Sequence, residues 1–341
     1  MKTFSKKKSR NFKKRCAFGT IQYAINGIEK KSDDPSDWEA PYIKAFLHRI
    51  ILTGDWHKCK GYYKTLINLF GAFYLDTDFT PDGRMPNYRK KWIKNTPDFS
   101  INVFSEPIEF QAPYYMELLP KGNVSPEKYK ELLQRLNSSL KILHVRSIEY
   151  SIDLYCHDRE SLQRLFLTLR RYLHIPYQRD AKLYGEKHIA WGDKTRMNTV
   201  YKASDVKMYE RGPDGKKKRI DWNVEDCDRV RLEFTANKTA LRQRGISTLD
   251  DLISDARFYE INHDIYKFIY FEGSKKLPQC WEGYTSSDER GNMNCLQLEI
   301  NNFRNRIKNL NQYLKEAEAF DPLRLAIVDA MHQFDEKWVN A

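Results

Sequence analysis

Three stretches of this chain alternate polar and apolar residues so regularly that they constrain the fold more than any other feature. In Arg146 to Tyr155, Ile148, Tyr150, Ile152 and Leu154 alternate with Glu149, Ser151, Asp153 and Tyr155. In Thr199 to Arg211, Val206 and Met208 alternate with Lys207 and Tyr209, and from Arg229 to Thr235, Val230, Leu232 and Phe234 alternate with Arg231, Glu233 and Thr235. Strand side chains point to opposite faces in turn, so each run predicts a strand with one apolar and one polar face. PDGKKK (Pro213 to Lys218) supplies the turn between the second and third runs. If the three strands share one antiparallel sheet, Glu149, Asp153, Lys207, Tyr209, Arg231 and Glu233 all project from its front. Glu149 and Asp153 then lie on the same face roughly 13 Å apart. Burying three carboxylates without a cation is costly, so the cluster favours a divalent metal or an arginine partner. The bland alternative is a solvated sheet surface with cross-strand ion pairs of small energetic consequence.

The remaining segments supply helices around that sheet. Ala40 to Gly54 has apolar positions at helical spacing and a glycine stop, and predicts a helix within a mainly helical region 16–98. Residues 76–98 hold three prolines and read as a loop or boundary. Strands follow from Ser100, then a helix opened by Ser125 and Pro126, with a second helical stripe at Leu162, Leu165, Phe166 and Leu169. Beyond Phe234, Gly245 predicts a helix stop, and Ser247 with Asp250 predicts the next start. Residues 258–271 read as an aromatic helix. The predicted class is α+β: an antiparallel-rich sheet backed by helices over 99–275, with a helical C-terminal region 276–341. In that region Leu296, Ile300, Phe303, Ile307, Leu310 and Leu314 have coiled-coil spacing. The stripe admits an intramolecular hairpin with Leu323 to Phe334 or a homodimer.

Charge narrows the partner. The formal net charge is +12, and residues 1–15 alone carry eight basic side chains and no acid. A basic tail ahead of a nearly balanced body suits a polyanion, nucleic acid above all; a solubilising tail is the alternative. The cluster Arg89, Lys90, Lys91, Trp92 and Lys94, and the turn residues Lys216, Lys217 and Lys218, are candidate DNA contacts. A surface patch with snorkelling stems accounts for the first cluster equally well. Six dispersed cysteines without a CxxC pair suggest neither a zinc ribbon nor a disulfide framework. No apolar run approaches a membrane span, so the expectation is a soluble cytoplasmic protein with reduced thiols. The eight histidines are scattered, and His57 with Cys59 makes a weak pair. Any metal is therefore expected to rest mainly on carboxylates, which favours Mg²⁺ or Mn²⁺ over zinc.

Met208-Tyr209-Glu210-Arg211 ending one strand, Arg231-Leu232-Glu233 on the next, and a helix end from Leu241 to Ile246 form an ordered set. Together with Glu149 and Asp153 upstream, this set resembles the replication initiators of rolling-circle plasmids and filamentous phages. The resemblance spans roughly residues 100–260 and implies an enzyme that nicks and rejoins one DNA strand at an origin. On that reading Tyr209 is the nucleophile, with Tyr201 in reserve on the same strand face. Glu149, Asp153 and Glu233 hold Mg²⁺ or Mn²⁺, and Lys207 and Arg231 stabilise charge on the phosphate. A host helicase or polymerase is the implied protein partner. Two other readings stay open: a non-enzymatic, sequence-specific DNA-binding protein, and a primase that also sets carboxylates on a sheet.

Overall fold

The computed structural model describes residues 43–54, 61–79, 88–108, 114–121, 124–140, 143–156, 173–175, 181–183, 188–191, 203–210, 229–263, 266–271, 314–316 and 321–341, together with Leu162, Leu165, Phe166 and Leu169. The strands are β1 (Ile43–Gly54), β2 (Tyr74–Leu75), β3 (Tyr88–Asn95), β4 (Phe99–Pro107), β5 (Tyr114–Pro120), β6 (Leu143–Tyr155), β7 (Leu173–His174), β8 (Ala181–Leu183), β9 (His188–Trp191), β10 (Ala203–Glu210), β11 (Arg229–Asn237), β12 (Lys267–Phe271) and β13 (Leu314–Glu316). The helices are α1 (Tyr62–Phe70), α2 (Pro126–Ser139), α3 (Lys238–Gln243), α4 (Leu249–Ser254), α5 (Phe258–Asn262) and α6 (Asp321–Asn340). Among the described residues, ten strands form one sheet in the order β2-β3-β4-β5-β1-β6-β11-β10-β9-β8, and β13-β12-β7 form a smaller one. Every neighbouring pair in the large sheet is antiparallel.

The back of the sheet is the core. Leu47, Ile50 and Leu52 of β1, Ile148, Tyr150, Ile152 and Leu154 of β6, and Val230, Leu232 and Phe234 of β11 pack against Leu132, Leu133 and Leu136 of α2. Ile327, Met331, Phe334 and Trp338 of α6 close the same layer, with Leu162, Leu165, Phe166 and Leu169 beside them. Each large apolar side chain buried this way contributes about 1.5–3 kcal/mol. The α+β class and the antiparallel sheet backed by helices agree with the sequence reading.

Helix ends explain much of the rest. The Ser125 side chain accepts from Lys128 N, with Pro126 opening α2. Lys130 reaches across to donate to the Trp338 and Val339 carbonyls at 2.8 and 3.3 Å, closing the C-terminus of α6. The helix start after Gly245 falls one residue later than predicted. Thr248 and Asp251 form the capping box, not Ser247 and Asp250. Gly245 itself has φ +75°, as its role at the helix end requires.

α5 has no cap of its own; Asp335 of α6 accepts from the Phe258 and Tyr259 backbone N–H groups, both at 2.8 Å. Burial pushes the Asp335 carboxyl up to about 6. The folded protein therefore holds this proton more tightly than the unfolded chain, whose Asp titrates near 3.9. The stability so gained is full below about pH 4 and is lost as pH rises through about 6. Urea midpoints measured from pH 4 to 7 are expected to show this decline in the native chain. The difference between native chain and Asp335→Asn should track it; a pH-independent difference counts against the assignment.

Three sequence expectations are corrected here. Ala40 to Gly54 is not helical: its described part is β1, a central strand hydrogen-bonded to both β5 and β6. The basic stretch expected as a loop contains β3, so the boundary expected between 98 and 99 lies between two paired strands. Residues 258–271 are α5 followed by β12, not one helix. Leu314, the last position of the C-terminal heptad, lies in β13; the rest of that heptad, the basic tail, Tyr201, His57, Cys59 and Lys216 to Lys218 lie outside the described residues.

Candidate active site

β6, β11 and β10 are neighbours in register, and their polar faces share the front of the sheet. β1 completes the site through an irregularity. Leu47 pairs with Tyr150 and Arg49 with Glu149, so His48 is an extra residue, a bulge. The bulge reverses the alternation of β1: Ala45 and Leu47 face the core before it, Ile50 and Leu52 after it. Both His48 and Arg49 consequently turn to the front.

There His48 Nδ1 lies 3.1 Å from Glu149 Oε2 and 3.0 Å from Glu233 Oε1. The ligand atoms of His48, Glu149 and Glu233 all lie within 4.8 Å of one another, close enough to share one metal ion. One imidazole nitrogen and two carboxylates suit a divalent cation that accepts both donor types. Arg49 Nε and Lys207 Nζ reach Glu149 at 3.3 and 3.2 Å. Thr235 donates to Glu149 Oε1. Burial opposes ionisation of Glu149, yet Arg49, His48 and Lys207 together hold its carboxyl well below the usual range. For Glu233, burial and the Glu149 charge oppose ionisation; His48 and Lys207 prevail and bring it down to about 2. Both acids are therefore charged near neutral pH.

The Tyr209 hydroxyl donates to Glu233 Oε1 at 2.5 Å, on the same oxygen that faces His48. Tyr209 thus stands on the front face, away from the core behind the sheet. Asp153, expected beside the metal, is engaged elsewhere. Arg231 donates to both its oxygens, Nε at 2.6 Å and Nη2 at 2.7 Å, and Arg229 Nε lies 3.1 Å away. This is the bidentate geometry of a strong buried pair, and it matches the long Glu149-to-Asp153 spacing along β6. Asp153 is therefore a counter-ion for two arginines, and His48 is the third side chain of the group that could hold a metal. Arg231 also stacks over the Phe46 ring at 4.8 Å.

His48 is the residue the sequence reading missed. A lone histidine inside a pattern read as helical carries no ligand signal; the signal appears only once β1 is known to pair with β6. The basic-aromatic strand β3 lies five strands from β11. Lys90 pairs with Glu106 at 2.5 Å and Lys91 with Asp76 at 2.8 Å. Trp92 packs on Tyr63, ring centroids 5.1 Å apart, and donates to Ser105. Arg89 is exposed and Lys94 half-buried. The structure does not bring this patch to the carboxylate group.

No helix among the described residues is long and apolar enough to cross a membrane. No family model and no curated protein matches the chain. It is similar to a solved structure of a rolling circle replication initiator protein from Geobacillus stearothermophilus, at 10% identity over 69% of this chain and 90% of that one, with a TM-score of 0.41.

Proposed function

We propose that this chain is a replication initiator that nicks and rejoins one strand of DNA at an origin, with Tyr209 as nucleophile. One observation carries the reading: the Tyr209 hydroxyl meets Glu233 inside the His48–Glu149–Glu233 group. On this reading the nucleophile, the carboxylate that orients its hydroxyl and the cation site share one wall of one sheet, as phosphoryl transfer requires.

Tyr209 Oη attacks the phosphorus of a phosphodiester; the new O–P bond leaves a 5′-phosphotyrosine as the P–O3′ bond breaks. The phenolic proton, directed by its hydrogen bond to Glu233, leaves to water as the O–P bond forms, and the departing 3′ oxygen takes a proton from water to become a free hydroxyl. Attack of a 3′-hydroxyl on the phosphotyrosine reverses the sequence and rejoins the strand. Lys207 and Arg231 flank the reacting phosphate and offset its added charge. Mg²⁺ or Mn²⁺ held by His48, Glu149 and Glu233 would supply a Lewis acid for the phosphate oxygens. Arg89, Lys90, Lys91 and Lys94 offer a track for the DNA backbone farther out.

The test is incubation of the full chain with single-stranded origin oligonucleotide and Mn²⁺, followed by denaturing electrophoresis and mass spectrometry. A covalent adduct mapping to Tyr209 is the expected result; binding without adduct favours the non-enzymatic DNA-binding reading. Separately, His48→Gln is expected to weaken Mn²⁺ binding at least about tenfold, since even outer-shell changes at metal sites have that effect. Paramagnetic resonance titration of free Mn²⁺ measures it, and unchanged affinity removes His48 from the site.

A further inference from the structure

The antiparallel register sorts the front face into three rungs. The first carries Lys44, Asp153, Arg231 and Tyr209; the second Phe46, Ser151, Glu233 and Lys207; the third Arg49, Glu149, Thr235 and Asp205. Ser151 is the smallest side chain in these rungs and sits between two large neighbours along β6, Glu149 and Asp153. It is 0% exposed, and its hydroxyl has no hydrogen-bond partner among the described residues.

Arg231 offers a second unmatched donor at the same place. Its Nε and Nη2 are committed to Asp153. Its Nη1 turns toward the middle rung, 3.8 Å from Glu233 Oε1, and has no hydrogen-bond acceptor among the described residues. Buried donors are almost always matched, because leaving one unmatched forfeits its hydration without return. Two unmatched donors around the rung that also receives Tyr209 Oη require an acceptor from outside. The cations leave room for further negative charge: Arg229 and Arg231 both lean on one carboxylate, Asp153, with Lys207 two positions along the front face.

We propose that Ser151 Oγ and Arg231 Nη1 form a subsite for one non-bridging oxygen of a phosphate group. The oxygen would reach this rung between the His48–Glu149–Glu233 group and the Arg231–Asp153 pair. Naming the natural occupant as a DNA phosphodiester rests on the nicking reading; the subsite as a binder of tetrahedral oxyanions does not.

The probe is inorganic phosphate, titrated against the metal-free full chain and followed by phosphorus NMR. Ser151→Ala is expected to weaken phosphate binding about tenfold, the effect of one hydrogen bond to a charged group. Ser151→Val, which sets methyl groups where the oxygen would bind, should abolish it. The thermal midpoint of phosphate-free Ser151→Ala should not fall, since no internal hydrogen bond is lost. In a second arm with oligonucleotide, Ser151→Ala should lower the single-turnover nicking rate at saturating strand. Native-like phosphate affinity in Ser151→Ala overturns the subsite, as does a lowered midpoint that reveals an internal partner. If the native chain never nicks yet phosphate affinity depends on Ser151, the subsite stands and the reaction reading falls.

Discussion

Tyr209→Phe is expected to eliminate the covalent protein–DNA adduct and to lower strand nicking by at least about 10³-fold, the scale on which removal of an enzyme's nucleophile acts. The fold should survive. The ring keeps its place on β10, opposite Arg231, and only the hydroxyl contact with Glu233 is lost. Glu233 keeps His48 and Arg231 nearby, so the loss of stability should stay within about 1–3 kcal/mol, the range for one buried hydrogen-bond partner. Oligonucleotide affinity should change little, because phosphate contacts to lysine and arginine dominate strand binding. Adduct formation by the phenylalanine variant would move the nucleophile to another tyrosine, with Tyr201 first to be tried, and would leave the Tyr209–Glu233 contact a structural one.

Asp153→Ala should have the opposite signature: a large loss of stability, whatever the state of the metal. Arg229 and Arg231 are 5% and 3% exposed, and both depend on this carboxylate. Removing one member of a buried ion pair typically costs about 3–5 kcal/mol, because the remaining charge is left without compensation. Urea unfolding in the presence of a chelator isolates the effect. Asp153→Asn, which keeps one oxygen for Arg231, should lose less. A shift below about 1 kcal/mol in the alanine variant would mean that the arginines are well solvated, and the assignment of Asp153 as their counter-ion would fail.

The two variants also show how far the sequence could be read. Period-two alternation is a property of one strand and its two faces, so β6, β10 and β11 and the side from which Glu149, Tyr209 and Glu233 project were legible directly. What alternation cannot convey is which front residues meet. Asp153 and Glu149 share a face, but a carboxylate opposite an arginine in the next strand is claimed by it, and that pairing exists only once the register is set. β1 was misread for a related reason. The extra residue at His48 breaks the alternation, leaving Ile43, Phe46, Leu47, Ile50 and Ile51 at spacings of three and four that imitate a helical stripe. β3 was misread because lysines dominate it. Its strand character comes from the ladder to β4 and from the neutralising Glu106 and Asp76, none of which composition reveals.

The bulge that hid β1 from the sequence also ties the candidate site to folding. Everything after His48 on that strand faces the way it does because one residue is supernumerary. Excising it would turn Ile50 and Leu52 out of the hydrophobic interior and swing Ile51 into it. The histidine's position is therefore guarded by the interior itself, and a lineage of this protein can exchange the side chain at 48 far more readily than it can shorten the strand by a single link.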